Sequence, residues 1–149
     1  MRRSKPRRRS AKAGGPTPIS LRLPAETREA VQKLARHRGE SMNTTLVRLI
    51  DEGVRQAKCP GITFTDGPSG RRASIAGTGI DVWEVARTLG SCHGDEAAMR
   101  ALYPQLSHAQ VTAALRYART YRDDVGERIA LAEAMEHEAM ETIPTLKVS

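Results

Sequence analysis

The segment from residue 18 to residue 24, which reads Pro-Ile-Ser-Leu-Arg-Leu-Pro, constrains the fold more than any other feature of the chain. As a strand it would turn three aliphatic side chains to one face and Ser20 and Arg22 to the other. No second strand follows nearby in sequence, so such a strand pairs most readily with its equivalent in another copy of the chain. The pattern predicts an obligate homodimer with a two-stranded antiparallel ribbon. The aliphatic face comprises Ile19, Leu21 and Leu23.

Two amphipathic segments follow this strand, and each carries the signals of a helix. Pro24 stands at a first-turn position, where a proline costs no hydrogen bond, and Gly39 suits a left-handed helix end. Ser41 suits the N-cap of the second helix. Apolar residues recur at helical spacing in both segments and should share a core with the inner face of the ribbon. The predicted dimer core includes Ile19, Leu21, Leu23, Leu46 and Ile50.

With the strand, the Gly39-Glu40-Ser41 turn and the two helices, residues 18–57 resemble the Arc-like ribbon-helix-helix family of DNA-binding repressors and antitoxins. The resemblance implies that the ribbon enters the major groove, where Ser20 and Arg22 contact bases and Arg22 binds a guanine. It also implies that the start of the second helix holds a phosphate. The alternative is that Ser20 and Arg22 form the solvated face of an edge strand. The implied phosphate contacts are Ser41, Met42 and Asn43.

The charge of the chain is concentrated at its beginning. The formal net charge is +7, and the seven lysines and arginines before Ala13 supply all of it. Residues 1–17 are expected to form a disordered basic arm whose Arg7, Arg8 and Arg9 contact phosphates without reading sequence. A basic tail that serves only solubility is the alternative. The arm lacks the apolar core of a signal peptide and no apolar run is long enough to cross a membrane, so a cytoplasmic protein without a membrane partner is expected.

A second, helical domain is predicted over residues 59–122. Turn-forming residues at 65–70 separate two short strand-like runs and predict a β-hairpin. Three helices should follow, the first of them ending at Gly90. Two of the helix starts carry capping boxes, in which two side chains three residues apart satisfy each other's backbone N–H groups. These boxes are Asp81 with Glu84 and Ser107 with Gln110.

This second half resembles the domain-of-unknown-function 433 (DUF433) family, which consists of small helical domains with a helix-turn-helix-like arrangement found in antitoxins. Gly79 departs from the family pattern, in which an arginine is common at that position. The two domains in this order resemble VapB-type antitoxins, whose toxins are ribonucleases of PIN-like fold. The residues that carry the DUF433 resemblance are Pro60–Ile62, Ile75–Val82, Tyr103–Ser107 and Val111–Tyr117.

Residues 123–149 form an acidic segment, in contrast to the basic arm. Apolar residues recur there at steps of three and four and have no evident partner in the chain. The pattern predicts an amphipathic helix and an extended end that bind a toxin and block its active site. The alternative is a helix folded back on the second domain or on its dimer mate. The predicted toxin contacts are Val125, Arg128, Ile129, Met135 and Lys147.

The leading hypothesis is therefore an antitoxin of a type II toxin-antitoxin system that neutralises a PIN-like ribonuclease toxin and represses its own operon. Its expected partners are operator DNA, the toxin and a second copy of the chain, with a larger hetero-oligomer that includes the toxin left open. The alternative is a stand-alone ribbon-helix-helix transcriptional regulator without a toxin partner.

Groups that could carry catalysis or bind a metal are few in the sequence. No nucleophile, base and orienting residue occur together, and helix capping accounts for the two acids that a hydrolase could use. Cys59 and Cys92 lack the spacing of a metal site, so neither a metal nor a cofactor is expected, and an enzyme is disfavoured. The side chains on which a hydrolase would depend are Asp81, Glu84, His93 and His108.

Overall fold

The structure is a computed structural model and describes residues 15–143. Within them the protein is mainly helical, with one two-stranded antiparallel hairpin, as the sequence predicts. Over these residues the chain divides into two compact units, a first that ends at Thr45 and a second that begins at Leu46. In chain order the elements are α1 (Ala25–Arg38), α2 (Met42–Lys58), β1 (Ile62–Gly67), β2 (Gly70–Ile75), α3 (Val82–Ser91), α4 (Glu96–Leu102), α5 (His108–Thr120) and α6 (Arg122–Thr142).

Helix α1 begins and ends where its sequence signals predict. It starts directly after Pro24 and ends at Gly39, whose φ of 64° lies in the left-handed region that glycine adopts without strain. The N–H of Gly39 donates to the carbonyl of Arg36 at 3.2 Å, and the next N–H donates to Ala35 at 3.0 Å. These bonds satisfy carbonyls that the helix end would otherwise leave unpaired.

Ser41 caps helix α2, as predicted. Its hydroxyl oxygen accepts a hydrogen bond of 3.0 Å from the backbone N–H of Thr44. The adjacent Thr45 is fully buried, and its hydroxyl donates to the carboxylate of Glu40 at 3.0 Å. The apolar pattern of the sequence gives no sign of this buried threonine, because its burial depends on a polar partner.

The hairpin of β1 and β2 follows α2 within the second unit. Its register pairs Ile62 with Ile75 at one end and Gly67 with Gly70 at the turn. A side-chain Cβ at Gly67 would lie only 1.4 Å from Nη1 of Arg72. Glycine at this position therefore leaves room for the Arg72 guanidinium to lie across the end of the hairpin.

The core of the second unit lies between the hairpin and the helices that follow it. Helix α3 contacts α4, α5 and α6, while α5 also contacts both strands. Most of the core side chains are aliphatic, and one buried tyrosine is included. Burial of such side chains contributes about 1.5–3 kcal/mol each. The fully buried side chains of this core include Cys59, Ile75, Val82, Val85, Met99, Val111 and Tyr117.

Both predicted capping boxes are present. The N–H of Asp81 donates to the carboxylate of Glu84 at 2.7 Å. The N–H of Ser107 donates to the side-chain oxygen of Gln110 at 2.8 Å, and the serine hydroxyl oxygen accepts from the N–H of Gln110 at 3.2 Å. Local spacing alone was sufficient to predict these helix starts.

The predicted end of α3 at Gly90 is wrong. The helix continues to Ser91, and the chain reverses at His93 and Gly94, whose φ values are 53° and 83°. A glycine inside a helix costs only about 1 kcal/mol relative to alanine. Packing of α3 against its neighbours can outweigh that cost, so Gly90 does not stop the helix.

The first half of helix α6 packs against the rest of the second unit. The prediction that the apolar stripe of this helix has no partner in its own chain is therefore wrong for the first half. Val125 is 6% exposed and Ile129 packs against the core. Farther along, Arg87 of α3 donates to the carboxylate of Glu136 at 2.6 and 2.7 Å, which lowers the pKa of this carboxyl. The structure therefore has the alternative arrangement, in which the helix packs on its own domain.

Candidate nucleic-acid interface

Residues 15–24, which include the predicted ribbon strand, have no regular secondary structure in the single chain. Ser20 and Arg22 are exposed, as base-reading residues must be. Ile19 and Leu21 are also exposed, by 87% and 56%. A strand with a free aliphatic face gains stability only when another element covers it. The intermolecular ribbon stays a prediction, and these two side chains are the surface that it would bury.

Helix α2 carries a second exposed apolar surface, which we call the α2 stripe. It consists of Val47, Ile50 and Val54, which are 60%, 56% and 46% exposed. Their spacing of three and four residues places them on one face of the helix. A continuous apolar face of this kind is typical of an interaction surface. Of the other residues predicted for the dimer core, Leu23 and Leu46 are partly buried.

The predicted phosphate site lies at the start of α2. The first N–H groups of any α-helix lack partners within the helix and favour an anion. Here these groups belong to Met42 and Asn43, directly after the capping residue Ser41. Asn43 is exposed, so a phosphate has access to this turn. The other predicted phosphate contacts, Arg7, Arg8 and Arg9, lie outside the described residues.

The last turns of α2 belong to the second unit and contact its later helices through a group that we call the Arg55 cluster. The guanidinium of Arg55 donates to the hydroxyl of Tyr117 at 2.8 Å and to Asp124 at 3.2 Å. It lies 4.5 Å from the ring centre of Tyr121, a distance suited to a cation–π contact. Asp51, one turn earlier, pairs with Arg55 at 2.8 Å. One arginine thus links α2 with α5 and α6.

Two groups of this cluster, Tyr117 and Arg55, have raised pKa values. Burial raises the pKa of Tyr117 to about 12, although the hydrogen bond from Arg55 acts in the opposite direction. Tyr117 therefore remains protonated at neutral pH and can donate to Asp124, 3.3 Å away. Burial disfavours the charge of Arg55, but its bond to Tyr117 and the nearby carboxylates raise its pKa further. Both Tyr117 and Arg55 therefore keep their protons at neutral pH.

A second set of contacts ties α2 to the hairpin. Both Nε and Nη2 of Arg71 donate to the carboxylate of Glu52, the latter at 2.8 Å. Arg128 of α6 in turn donates to the carbonyl of Ser69 at 2.6 Å and to that of Arg71. The division between the compact units falls inside α2, after Thr45, whereas the sequence placed the domain boundary between residues 57 and 59.

The predicted toxin contacts differ in accessibility. Val125 belongs to the core of the second unit, Ile129 packs against that core, and Arg128 holds the hairpin. Met135 is 51% exposed, whereas Lys147 lies outside the described residues. Other accessible apolar residues, in α6 and directly after it, are absent from the predicted toxin contacts. These are Leu131, Met140 and Ile143, which are 43%, 58% and 47% exposed.

The candidate catalytic acid Asp81 is engaged in the fold. Its carboxylate accepts hydrogen bonds from the hydroxyl of Ser74 at 2.6 Å, the indole of Trp83 at 3.2 Å and the guanidinium of Arg72. Glu84 is used in capping, while His93 and His108 are exposed. Over residues 15–143, no cluster of three or more histidines, cysteines or acids has metal-binding geometry. No helix within that range is long and apolar enough to cross a bilayer.

Comparison with protein families supports a DNA-binding regulator of the ribbon-helix-helix class. It matches residues 19–58 to the Arc-like DNA binding domain and residues 62–118 to the family described as protein of unknown function (DUF433). The chain thus carries an Arc-like domain followed by a DUF433 domain, in the order that its sequence predicts. Neither the curated proteins nor the solved structures gave a match.

Proposed function

We propose that this protein is a homodimeric, operator-binding repressor that also acts as the antitoxin of a type II toxin-antitoxin system. The observation that carries the DNA-binding part is the Arc-like match over residues 19–58. The antitoxin part is a finer inference, supported by the resemblance of the domain order to VapB-type antitoxins. A regulator rather than an enzyme is the class that the Arc-like domain supports.

Dimerisation is supported by the apolar surface that the single chain leaves open. Ile19 and Leu21 in the predicted strand are exposed, and so is the α2 stripe. Burial of each such side chain at an interface gains about 1.5–3 kcal/mol, and a two-fold axis doubles the number buried. A second copy of the chain is the partner that pairs with the strand and covers both surfaces.

In this dimer the outer face of the ribbon reads the operator. Ser20 and Arg22 contact bases, and Arg22 forms the bidentate pair with guanine that a planar guanidinium favours. The N–H groups of Met42 and Asn43 hold a backbone phosphate, which fixes the ribbon in the groove. The basic arm at residues 1–17 adds attraction to phosphates that does not depend on sequence.

Replacing Arg22 with alanine should weaken operator binding by about 1–3 kcal/mol per half-site, roughly 5- to 150-fold. Binding to a random duplex of equal length should change far less. The matched control is Arg22→Lys, which keeps the charge but loses the bidentate geometry and should also reduce the preference for the operator. Fluorescence anisotropy with both duplexes at one salt concentration measures the effect.

Deletion of residues 1–12 provides the contrasting variant. It should weaken binding to both duplexes alike and flatten the dependence of affinity on salt, because only phosphate contacts are removed. Equal losses for operator and random DNA in Arg22→Ala would contradict the division between base reading by the ribbon and attraction by the arm.

For the toxin, we propose that the accessible surface at the end of α6 makes the principal contacts. Met135, Met140 and Ile143 are about half exposed there. Apolar side chains of this kind can insert into a groove of a partner protein. Val125, Arg128 and Ile129 then support this surface by fixing the first half of α6 to its own unit. Lys147 remains a candidate for reaching the acidic active site of a PIN-like nuclease.

The double substitution Met140→Asp with Ile143→Asp should abolish co-purification with the product of the adjacent reading frame. Loss of two buried side chains amounts to about 3–6 kcal/mol. Operator binding should be unchanged. Truncation after Tyr121 is unsuitable, because it removes Asp124 and Val125 from the fold. Affinity capture after co-expression, with a growth assay for protection, provides the measurement.

The matched control is Leu102→Asp, because Leu102 is 63% exposed on the separate helix α4. This variant should capture the toxin as well as the unchanged protein does. Failure of the unchanged protein to capture the product of the adjacent frame would favour the stand-alone regulator, and retention by the double variant would exclude the end of α6 as the principal contact surface.

A further inference from the structure

A cavity of about 330 Å³ opens in the second unit between the hairpin turn, α3 and α6. One side is apolar and includes Trp83, Leu131 and Met135. The charged residues that line it are Arg72, Asp81 and Arg128. Its volume is at the lower end of the range for small-molecule sites, which is about 300–1,000 Å³. An apolar wall with a few charged groups is the usual composition of such sites.

The charged groups of the cavity do not cancel. Two guanidinium groups and one carboxylate give a net charge of +1. Asp81 pairs with Arg72 and also accepts from Ser74 and Trp83. Arg128 donates to two neutral backbone carbonyls, those of Ser69 and Arg71. None of the described carboxylates forms an ion pair with Arg128, so its positive charge favours an anion.

Arg72 has a buried hydrogen-bond donor that lacks an acceptor within residues 15–143. Its Nη1 is buried and has no hydrogen-bond partner among the described residues. A buried N–H without an acceptor costs about 1–3 kcal/mol. The hydrogen bond from Nε of Arg72 to Asp81 does not satisfy Nη1, because Nη1 is a separate donor. Nη1 itself is closed off beside Gly67, so a ligand oxygen in the cavity reaches Arg72 only through the rest of its side chain, which is 22% exposed.

We propose that this cavity binds a small organic monocarboxylate. Its carboxylate pairs with Arg128 and accepts from Arg72, while an aromatic or branched aliphatic body lies against Trp83, Leu131 and Met135. The net charge of +1 matches one carboxylate and disfavours a metal cation. A guanidinium fork is well suited to a planar carboxylate. The site is separate from the ribbon. Met135 lines the cavity and also belongs to the proposed toxin surface, whereas Met140 and Ile143 do not line the cavity.

Trp83 makes the proposal directly testable, because it is the single tryptophan of the sequence. The full-length protein is titrated with phenylacetate, 3-phenylpropionate and 4-methylpentanoate, and selectively excited tryptophan emission is recorded. At least one acid should give a saturable change with a Kd on the order of 1 mM or lower. The corresponding primary amide, which lacks the charge, should bind at least about tenfold more weakly.

Two variants test the site itself. Arg128→Gln should weaken binding of the preferred acid at least about tenfold. Because Arg128 also holds the hairpin, the second variant is Met135→Glu, which adds a negative charge at a position that is 51% exposed. It should weaken binding similarly. The matched control is Met140→Glu, since Met140 is 58% exposed on the same helix but does not line the cavity.

The outcomes separate clearly. Saturable binding of an acid that is lost in Met135→Glu and retained in Met140→Glu supports the site. The proposal is overturned if none of the three acids gives a saturable change, if each amide binds as tightly as its acid, or if the two methionine variants weaken binding equally.

Discussion

Replacing Ile50 with aspartate is expected to turn the dimer into a monomer and to abolish operator binding. Ile50 lies in the middle of the α2 stripe and is 56% exposed in the single chain. In a symmetric dimer the substitution occurs twice, so loss of apolar burial alone costs about 3–6 kcal/mol. The added carboxylates must also be desolvated, which increases the loss. Analytical ultracentrifugation measures the mass, and a band-shift assay measures DNA binding.

The matched control for this variant is Leu102→Asp, which makes the same kind of change on α4. It should remain dimeric and bind the operator normally. If Ile50→Asp stayed dimeric with unchanged affinity for DNA, the α2 stripe would not be the surface on which two copies meet.

Asp81→Ala should destabilise the second unit by about 2–4 kcal/mol. The substitution removes the acceptor shared by Ser74, Trp83 and Arg72. The side chain of Asp81 is only 8% exposed, so water cannot readily replace it. Arg72 is 22% exposed, which moderates the cost of leaving its charge unpaired. Urea unfolding followed by circular dichroism and by Trp83 emission gives the free energy of unfolding.

A double variant distinguishes loss of the ion pair from general damage. Asp81→Ala combined with Arg72→Met removes both charges, so it should cost less than the sum of the two single substitutions. Strict additivity of the three unfolding free energies would mean that Arg72 and Asp81 do not depend on each other.

The parts of the fold that the sequence predicts best are those with local signals. Gly39 ends α1 because a left-handed residue there needs no other contact to be favourable. Ser107 and Gln110 cap α5 across three residues, and the hairpin turn needs only its glycines and proline. The Arc-like and DUF433 domains were also predicted, since each depends on a recurring local pattern.

The contacts that the sequence could not predict join residues far apart in the chain. Arg55 and Tyr117 are separated by 62 positions, and no periodicity connects an arginine on one helix with a tyrosine on another. The partner of the first half of α6 was missed for the same reason, because the amphipathic pattern of a helix does not identify the surface that it covers. The cavity beside Trp83 arises only after β2, α3 and α6 come together.

Because the division between the two units lies inside α2, it limits where the two domains can be separated and joined to other proteins. The Arc-like match ends at residue 58, yet Glu52 and Arg55 already belong to the packing of the following unit. A fusion that joins the DUF433 domain to a foreign regulator at residue 58 would leave Arg71 and Tyr117 without these partners. Exchange of whole domains between proteins would therefore have to include about the last two turns of α2, which contain Glu52 and Arg55. The end of this helix lies within the Arc-like match and is also needed for the packing of the DUF433 domain.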